Sequence, residues 1–288
     1  MRIDVHAHYY PATLYDLIER VSSVRRNRLN GFVRGFSHHV SIDGLLELMD
    51  GAGTDRMVMS LGNTPPYYDH REHAVAIARG GNDLYVDLHT QHPGRFHAFV
   101  SVPLPHVDAA LAELDRRACV VFVHPVGAGG GPNSEDFGLT WMLASRFEDT
   151  IALARLILSG LTLKYPRIRF LFPHLGGTIP LFLQRMDNVA ERQGWQERSP
   201  HAMPSDLVRR MWFDTVNEQH SALRCACETF GSDRLLLGTD WPMLPPEKLK
   251  HFVDYVSEAL PEAEARAILD QNAASLLGLA QPTQPAVS

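Results

Sequence analysis

The chain has 288 residues, 45% hydrophobic and 21% charged, which supplies a sizeable core and excludes a disordered or fibrous protein. Its net charge of −6 argues against a general nucleic-acid or membrane binder. Three cysteines, Cys119, Cys225 and Cys227, are too few for a disulfide framework, whereas fifteen histidines make histidine chemistry the first thing to look for.

In chain order, short apolar runs at 3–8, 56–62, 96–103, 120–125, 168–174, 211–216 and 235–241 read as seven strands. Helical patterns at 42–52, 72–91, 107–117, 147–164, 179–193, 221–230 and 260–277 lie between and after them. Alternating β and α implies parallel strands joined by crossover helices. Near-continuous apolar runs such as Val120-Val121-Phe122-Val123 fit a sheet covered on both faces. The expected unit is one barrel domain over 1–280, its last helix opening at Pro261 and stopping at Gly278, followed by a loose tail over 281–288. With no leader pattern at the amino terminus and no run of membrane-span length, a cytoplasmic protein is expected.

Two long connections are placed to shape a pocket, because loops after the carboxyl ends of strands build the sites of α/β proteins. Residues 20–35 carry Arg20, Arg25, Arg26, Arg28 and Arg34 and no acid, between the first strand and the first helix. Residues 126–140 carry Gly127, Gly129, Gly130 and Gly131, without the Lys-Ser/Thr ending of a phosphate cradle.

His6 and His8 are two apart in the first strand and so share a face, with Asp4 below them and Ile3, Val5 and Ala7 expected on the opposite, helix-covered face. His124, His174 and Asp240 each end another apolar strand. If these ends gather at one barrel mouth, four or five metal-capable side chains converge. Imidazole and carboxylate ligands with an open position suit zinc, and also manganese, iron or cobalt. A metal of this kind acidifies a bound water, and one histidine is then free to act as a base; His174 is the better candidate, leaving His6, His8, His124 and Asp240 as a four-ligand set. A Ser-His-Asp hydrolase is disfavoured by the absence of a Gly-x-Ser-x-Gly elbow, and no dinucleotide fingerprint follows a strand.

The motifs Ile3-Asp4-Val5-His6-Ala7-His8, Phe122-Val123-His124-Pro125, Lys164-Tyr165-Pro166 with Phe172-Pro173-His174-Leu175-Gly176-Gly177, and Leu237-Gly238-Thr239-Asp240-Trp241-Pro242 span nearly the whole chain. In that order they resemble the amidohydrolase superfamily, in particular the branch of 2-amino-3-carboxymuconate-6-semialdehyde decarboxylase and the aromatic-acid decarboxylases. The resemblance implies a (β/α) barrel, a metal held by His6, His8, His124 and Asp240, His174 as the base, and a homodimer. It also implies that Arg185, in Leu183-Gln184-Arg185-Met186-Asp187, binds a substrate carboxylate, often in the neighbouring subunit's site. One departure is clear: relatives carry eight strands, and here Leu114-Asp115-Arg116-Arg117-Ala118-Cys119 runs straight into Val120, so the fourth strand-helix unit is missing. A distorted or incompletely closed barrel is expected.

The leading expectation is a metal-dependent, non-oxidative decarboxylase of a small unsaturated or aromatic carboxylic acid, with zinc first and manganese as the alternative metal, and with His174 and Asp240 as its catalytic residues, Asp240 being a proton relay as well as a ligand. A hydrolase of a lactone, ester or amide on the same fold is the rival, and a catalytically impaired partner subunit is the third reading.

Overall fold

The computed structural model describes residues 1–21, 40–62, 70–103, 114–115, 118–127, 131–134 and 136–279. Seven parallel strands lie among them: β1 (Ile3–His8), β2 (Arg56–Ser60), β3 (Phe96–Ala98), β4 (Val120–Phe122), β5 (Arg169–Phe172), β6 (Trp212–Asp214) and β7 (Leu235–Leu236). Each falls within one of the seven apolar runs. The helices are α1 (Ala12–Val21), α2 (Ile42–Ala52), α3 (Arg71–Gln91), α4 (Ser145–Leu158), α5 (Leu161–Lys164), α6 (Ile179–Arg192), α7 (Trp195–Arg198), α8 (Pro204–Val208), α9 (His220–Phe230), α10 (Lys248–Ala259), α11 (Glu262–Asp270) and α12 (Asn272–Leu277).

The strands pair in the orders β1-β2-β3 and β4-β5-β6-β7. Beyond β7 the backbone runs on beside β1 and joins the two sheets: the Val5 N–H donates to the Leu237 carbonyl at 2.9 Å, Asp240 N–H to His6 at 2.8 Å and His8 N–H to Trp241 at 2.6 Å. On the other side no ladder links β3 to β4 among the described residues; instead the Phe99 and Phe122 rings meet at 5.3 Å. The fold is therefore a (β/α) barrel whose pairing, among the described residues, breaks where the sequence drops a strand-helix unit. All three residues of β4 are only half-buried, unlike those of the neighbouring β5, which are mostly buried.

Strand periodicity sorts the core into an inside and an outside. Ile3, Val5, Val58, Leu171 and Leu236, with Phe122 and Trp212, form the inner apolar layer, and Ala273, Ala274 and Leu276 of α12 pack beneath it. Their strand neighbours point out to the helices: Met57 and Met59 pack with α1 to α3, and Phe170, Phe172, Leu235 and Leu237 with α4 to α11.

The structure corrects several expectations. Ile3 and Val5 face the barrel interior, and only Ala7 packs on the helix side with Tyr10 and Leu14. The register of β1 against β2 shifts between Asp4 and Ala7, which breaks the simple alternation. Arg20 sits in the last turn of an unforeseen helix, α1, while Arg25, Arg26, Arg28 and Arg34 lie outside the described residues. So do most of 107–117, Gly129 and Gly130, and the expected tail from Gln281. The pattern at 260–277 divides into α11 and α12 at Gln271, and Pro261 caps α11 rather than opening it.

Leu236 is fully buried in the inner layer. Leu236→Ala is expected to cost about 2–5 kcal/mol in chemical denaturation, by lost transfer energy and a cavity that the strands cannot collapse. An unchanged denaturation midpoint would contradict an inner layer packed as described.

Candidate metal and catalytic site

A polar layer sits directly above the inner apolar one, reached by the same two-residue period. Phe122 is followed by His124, Trp212 by Asp214, Val58 by Ser60, and Leu236 by Gly238 and Asp240. On β1 the irregularity after Asp4 brings His6 and His8 into this layer. Asp4 fills the kink: it accepts the His6 N–H at 2.9 Å, the Thr239 N–H at 3.2 Å and the Thr239 hydroxyl at 2.5 Å. Burial pushes the Asp4 carboxyl up to about 7, against the opposing pull of these hydrogen bonds. Gly238 has to be small, because a Cβ there would fall 2.8 Å from that of Asp214 and 3.0 Å from that of His6.

The layer brings four of the sequence candidates together. One donor atom from each of His6, His8, His124 and Asp240 lies within 4.8 Å of all the others. The Nε2 of His6 is 3.2 Å from that of His8 and 3.1 Å from that of His124. Asp240 Oδ1 is 3.1 Å from His6 Nε2 and 3.2 Å from His8 Nε2. The far nitrogen of each ring faces oxygen: His6 Nδ1 meets Asp214 Oδ2 at 2.7 Å, His8 Nδ1 meets the Ser60 hydroxyl at 2.9 Å, and His124 Nδ1 meets the Pro125 carbonyl at 2.7 Å. With Nδ1 of each ring engaged by oxygen, the Nε2 atoms of all three are left directed into one place beside Asp240 Oδ1, a donor set that a shared cation would satisfy once His6 gives up its proton. The residues present therefore fit a divalent ion.

Electrostatics agree with that fit. Burial disfavours charge on His6, yet the carboxylates of Asp240 and Asp214 outweigh it and raise the imidazole to about 10. Burial lowers His8, and lowers His124 further with repulsion from His8 and His6. Burial works to raise Asp240, but the charge of His6, the hydrogen bonds of His6 and His8 and the nearby His174 ring hold it well below the usual carboxylate range.

His174 stands beside this cluster, with its Nε2 3.6 Å from Asp240 Oδ2 and its ring 5.2 Å from that of His6. His174, Leu175 and Asp240 have left-handed backbones, with φ of 57°, 56° and 57°, strain of a kind that functional sites hold in place. The His174 N–H donates to Asp214 Oδ1 at 2.8 Å, so one carboxylate holds both a cluster imidazole and the backbone of the expected base. Asp214 was not singled out by sequence, although it ends an apolar strand as Asp240 does. Asp149, whose Oδ2 faces His174 Nδ1 at 2.8 Å, was also missed: it lies on a helix, where no strand-end signal exists.

Arg185 is not brought to this site by its own chain. It is exposed on α6, with Leu181 and Phe182 exposed one turn earlier and Val189 one turn later. Next to His8 a pocket is lined by Tyr9, Tyr10, Val40, Ile42, Leu45, Trp241 and Pro242. Tyr10 stacks on the His8 imidazole with centroids 5.7 Å apart, so the pocket lies beside one cluster ligand.

The Amidohydrolase family model matches residues 3–279. The chain belongs to the amidohydrolase family. It is 29% identical to gamma-resorcylate decarboxylase of Rhodococcus jostii (strain RHA1), over 82% of this chain and 87% of that protein. It is 21% identical to 2-amino-3-carboxymuconate-6-semialdehyde decarboxylase of Dictyostelium discoideum, over 97% of this chain and 92% of the other. Among solved structures it superposes with a TM-score of 0.73 and 22% identity on dihydroxybenzoic acid decarboxylase from Polaromonas sp. JS666 with bound manganese and 2-nitroresorcinol, covering 96% of each chain. The first alignment runs over 299 positions while taking in 82% of this 288-residue chain, so that relative carries several tens of residues with no counterpart here.

The charge pattern gives a direct test. Below about 10 the metal-free His6 holds a proton, while Asp240 is already ionised and His8 and His124 are already neutral, so filling the cluster at pH 7.5 must expel roughly one proton. Calorimetric titration with zinc or manganese in two buffers of different ionisation enthalpy should show that release. Heats independent of buffer would contradict the assignment.

Proposed function

We propose that this amidohydrolase is a metal-dependent, non-oxidative decarboxylase of a small aromatic or unsaturated carboxylic acid. The carrying observation is the join of a four-donor cluster to a separate buried histidine, His174, whose Nε2 faces the cluster and has no hydrogen-bond partner. The names of the relatives support the same reaction class. His6, His8, His124 and Asp240 would hold one divalent ion, zinc first on the donor set, with manganese the alternative that the Polaromonas structure supports. When bound, the ion supplies Lewis acidity toward a substrate oxygen or water.

The protein's own side chains carry the rest. Tyr10, Ile42, Leu45 and Trp241, beside His8, would flank the flat, apolar body of a substrate held at the cluster. His174 Nε2 holds or gives the proton that replaces CO2 on the ring carbon: the carbon–carboxylate bond breaks, its electron pair stays on carbon, and one proton adds. No oxidant is needed. A hydrolase would instead add water to a lactone, ester or amide, and a catalytically impaired subunit would do neither.

The same reading gives Arg185 a task in the partner's site. Its face of α6, apolar at Leu181, Phe182 and Val189, would be covered by a second copy of the chain in a homodimer, bringing the guanidinium to a substrate carboxylate there. One barrel domain over 1–280 would carry all these groups. The unpaired cysteines Cys119, Cys225 and Cys227 suit a reducing, cytoplasmic setting, and no described helix is long and apolar enough to cross a membrane.

Metal-loaded protein offered a panel of dihydroxybenzoates, carboxyvanillates and lactones should release CO2 from a carboxylate, with one proton gained by the product. His174→Ala should lower that turnover by about 10²–10⁴-fold while the metal stays bound. Gain of water instead of loss of CO2 would establish the hydrolase, and no turnover with any compound the impaired subunit. Arg185→Ala should raise KM about 10-fold or more, the worth of one charged hydrogen bond. An unchanged KM, or a monomer by sedimentation, would overturn the role given to Arg185.

A further inference from the structure

Asp149 occupies a place where an apolar side chain would be the ordinary choice. It lies on the buried face of α4 in the row Ser145, Asp149, Leu153 and Ile157, spaced by four, and is 1% exposed. Its Oδ1 has no hydrogen-bond partner, a costly condition for a buried carboxylate. Its Oδ2 has one, the Nδ1 of His174 at 2.8 Å. Burial pushes the carboxyl up, and His174 is the largest of the influences that pull it back.

The approach of α4 to the His174 turn depends on Gly177. That residue has φ +66°, and a Cβ there would fall 2.4 Å from the Arg146 carbonyl and 2.4 Å from the Thr150 hydroxyl, the residues on either side of Asp149 along the helix. The Thr178 N–H donates to the Thr150 hydroxyl at 2.9 Å and fastens the two segments. His174 is thereby held at both ends: its backbone N–H by Asp214, its Nδ1 by Asp149.

We propose that Asp149 is a positioning residue for His174, taking the Nδ1–H so that the ring keeps the tautomer with a free Nε2 lone pair directed at the metal cluster. This rests on the reading of His174 as the proton carrier. A carboxylate accepts only, so it fixes Nδ1 as the donor in the neutral ring and leaves Nε2 as the single position where a proton comes and goes. The same contact sets the ring's direction, because the nitrogen that faces Asp149 is opposite the one 3.6 Å from Asp240.

The test compares Asp149→Ala, Asp149→Asn and Asp149→Glu in the metal-loaded protein, with ¹⁵N-imidazole spectra of His174 in the full chain. The unaltered protein should show His174 with a proton on Nδ1. Asp149→Ala should lower kcat by about 100-fold or more with metal content and KM unchanged, since general acid–base work is lost while binding is kept. Asp149→Asn should lose nearly as much despite its matching shape, because its amide can turn an N–H toward Nδ1 and favour the other tautomer. Asp149→Glu should recover part of the rate.

Two results would overturn the proposal: His174 carrying its proton on Nε2 in the unaltered protein, or Asp149→Asn retaining kcat. The spectrum of the unaltered protein decides even if the alanine variant fails to fold. Failure of the underlying reading looks different, as it would show in His174→Ala retaining full turnover.

Discussion

The Nε2 of His6 stands about one hydrogen-bond length from those of His8 and His124, while the opposite nitrogens of all three rings face oxygen. Asp240 Oδ1, 3.1 Å from His6 Nε2, adds a carboxylate to them, so the group gathers donors and charge in one place. The rest of the structure works to hold this arrangement: Asp4 filling the kink in β1, Gly238 leaving room between His6 and Asp214, and the Asp214 carboxylate tying His6 to the His174 turn. Such groups destabilise an apolar core, so their cost is justified only by what they bind.

The barrel explains how seven strands suffice. The polar layer draws its side chains from β1, β2, β6 and the segments after β4, β5 and β7, so a strand between β3 and β4 is not among its sources. The loss falls on pairing instead, and the inner face keeps continuity there through Phe99 and Phe122. Phe122 also touches the His6 ring at 5.0 Å, so packing at the break bears on the cluster itself.

The sequence showed most of the cluster because the signal was periodic: a polar residue closing an apolar strand stands two or four residues beyond an inward one. His124 and Asp240 were legible on that rule, and Asp214 obeys it as well but was passed over beside the richer histidine motifs. The face of Ile3 and Val5 was misread because a register shift is invisible in an alternating pattern. Asp149 could be seen only as a carboxylate interrupting the apolar row that continues at Leu153 and Ile157, a pattern that gains meaning once the His174 turn is packed against it. The helix α1 escaped because its neighbouring arginine-rich stretch reads as a connection, and Arg185, on a helix with no strand-end signal, was legible only through the resemblance.

The central claim is that a barrel short of one strand-helix unit still presents a complete metal site. A crystal structure of the zinc-loaded protein, with anomalous scattering to fix the ion, tests it most directly. The account predicts one ion bound to the Nε2 atoms of His6, His8 and His124 and to a carboxylate oxygen of Asp240, at about 2.0–2.2 Å. An ion held through Nδ1 atoms, or by fewer than these four residues, would contradict it.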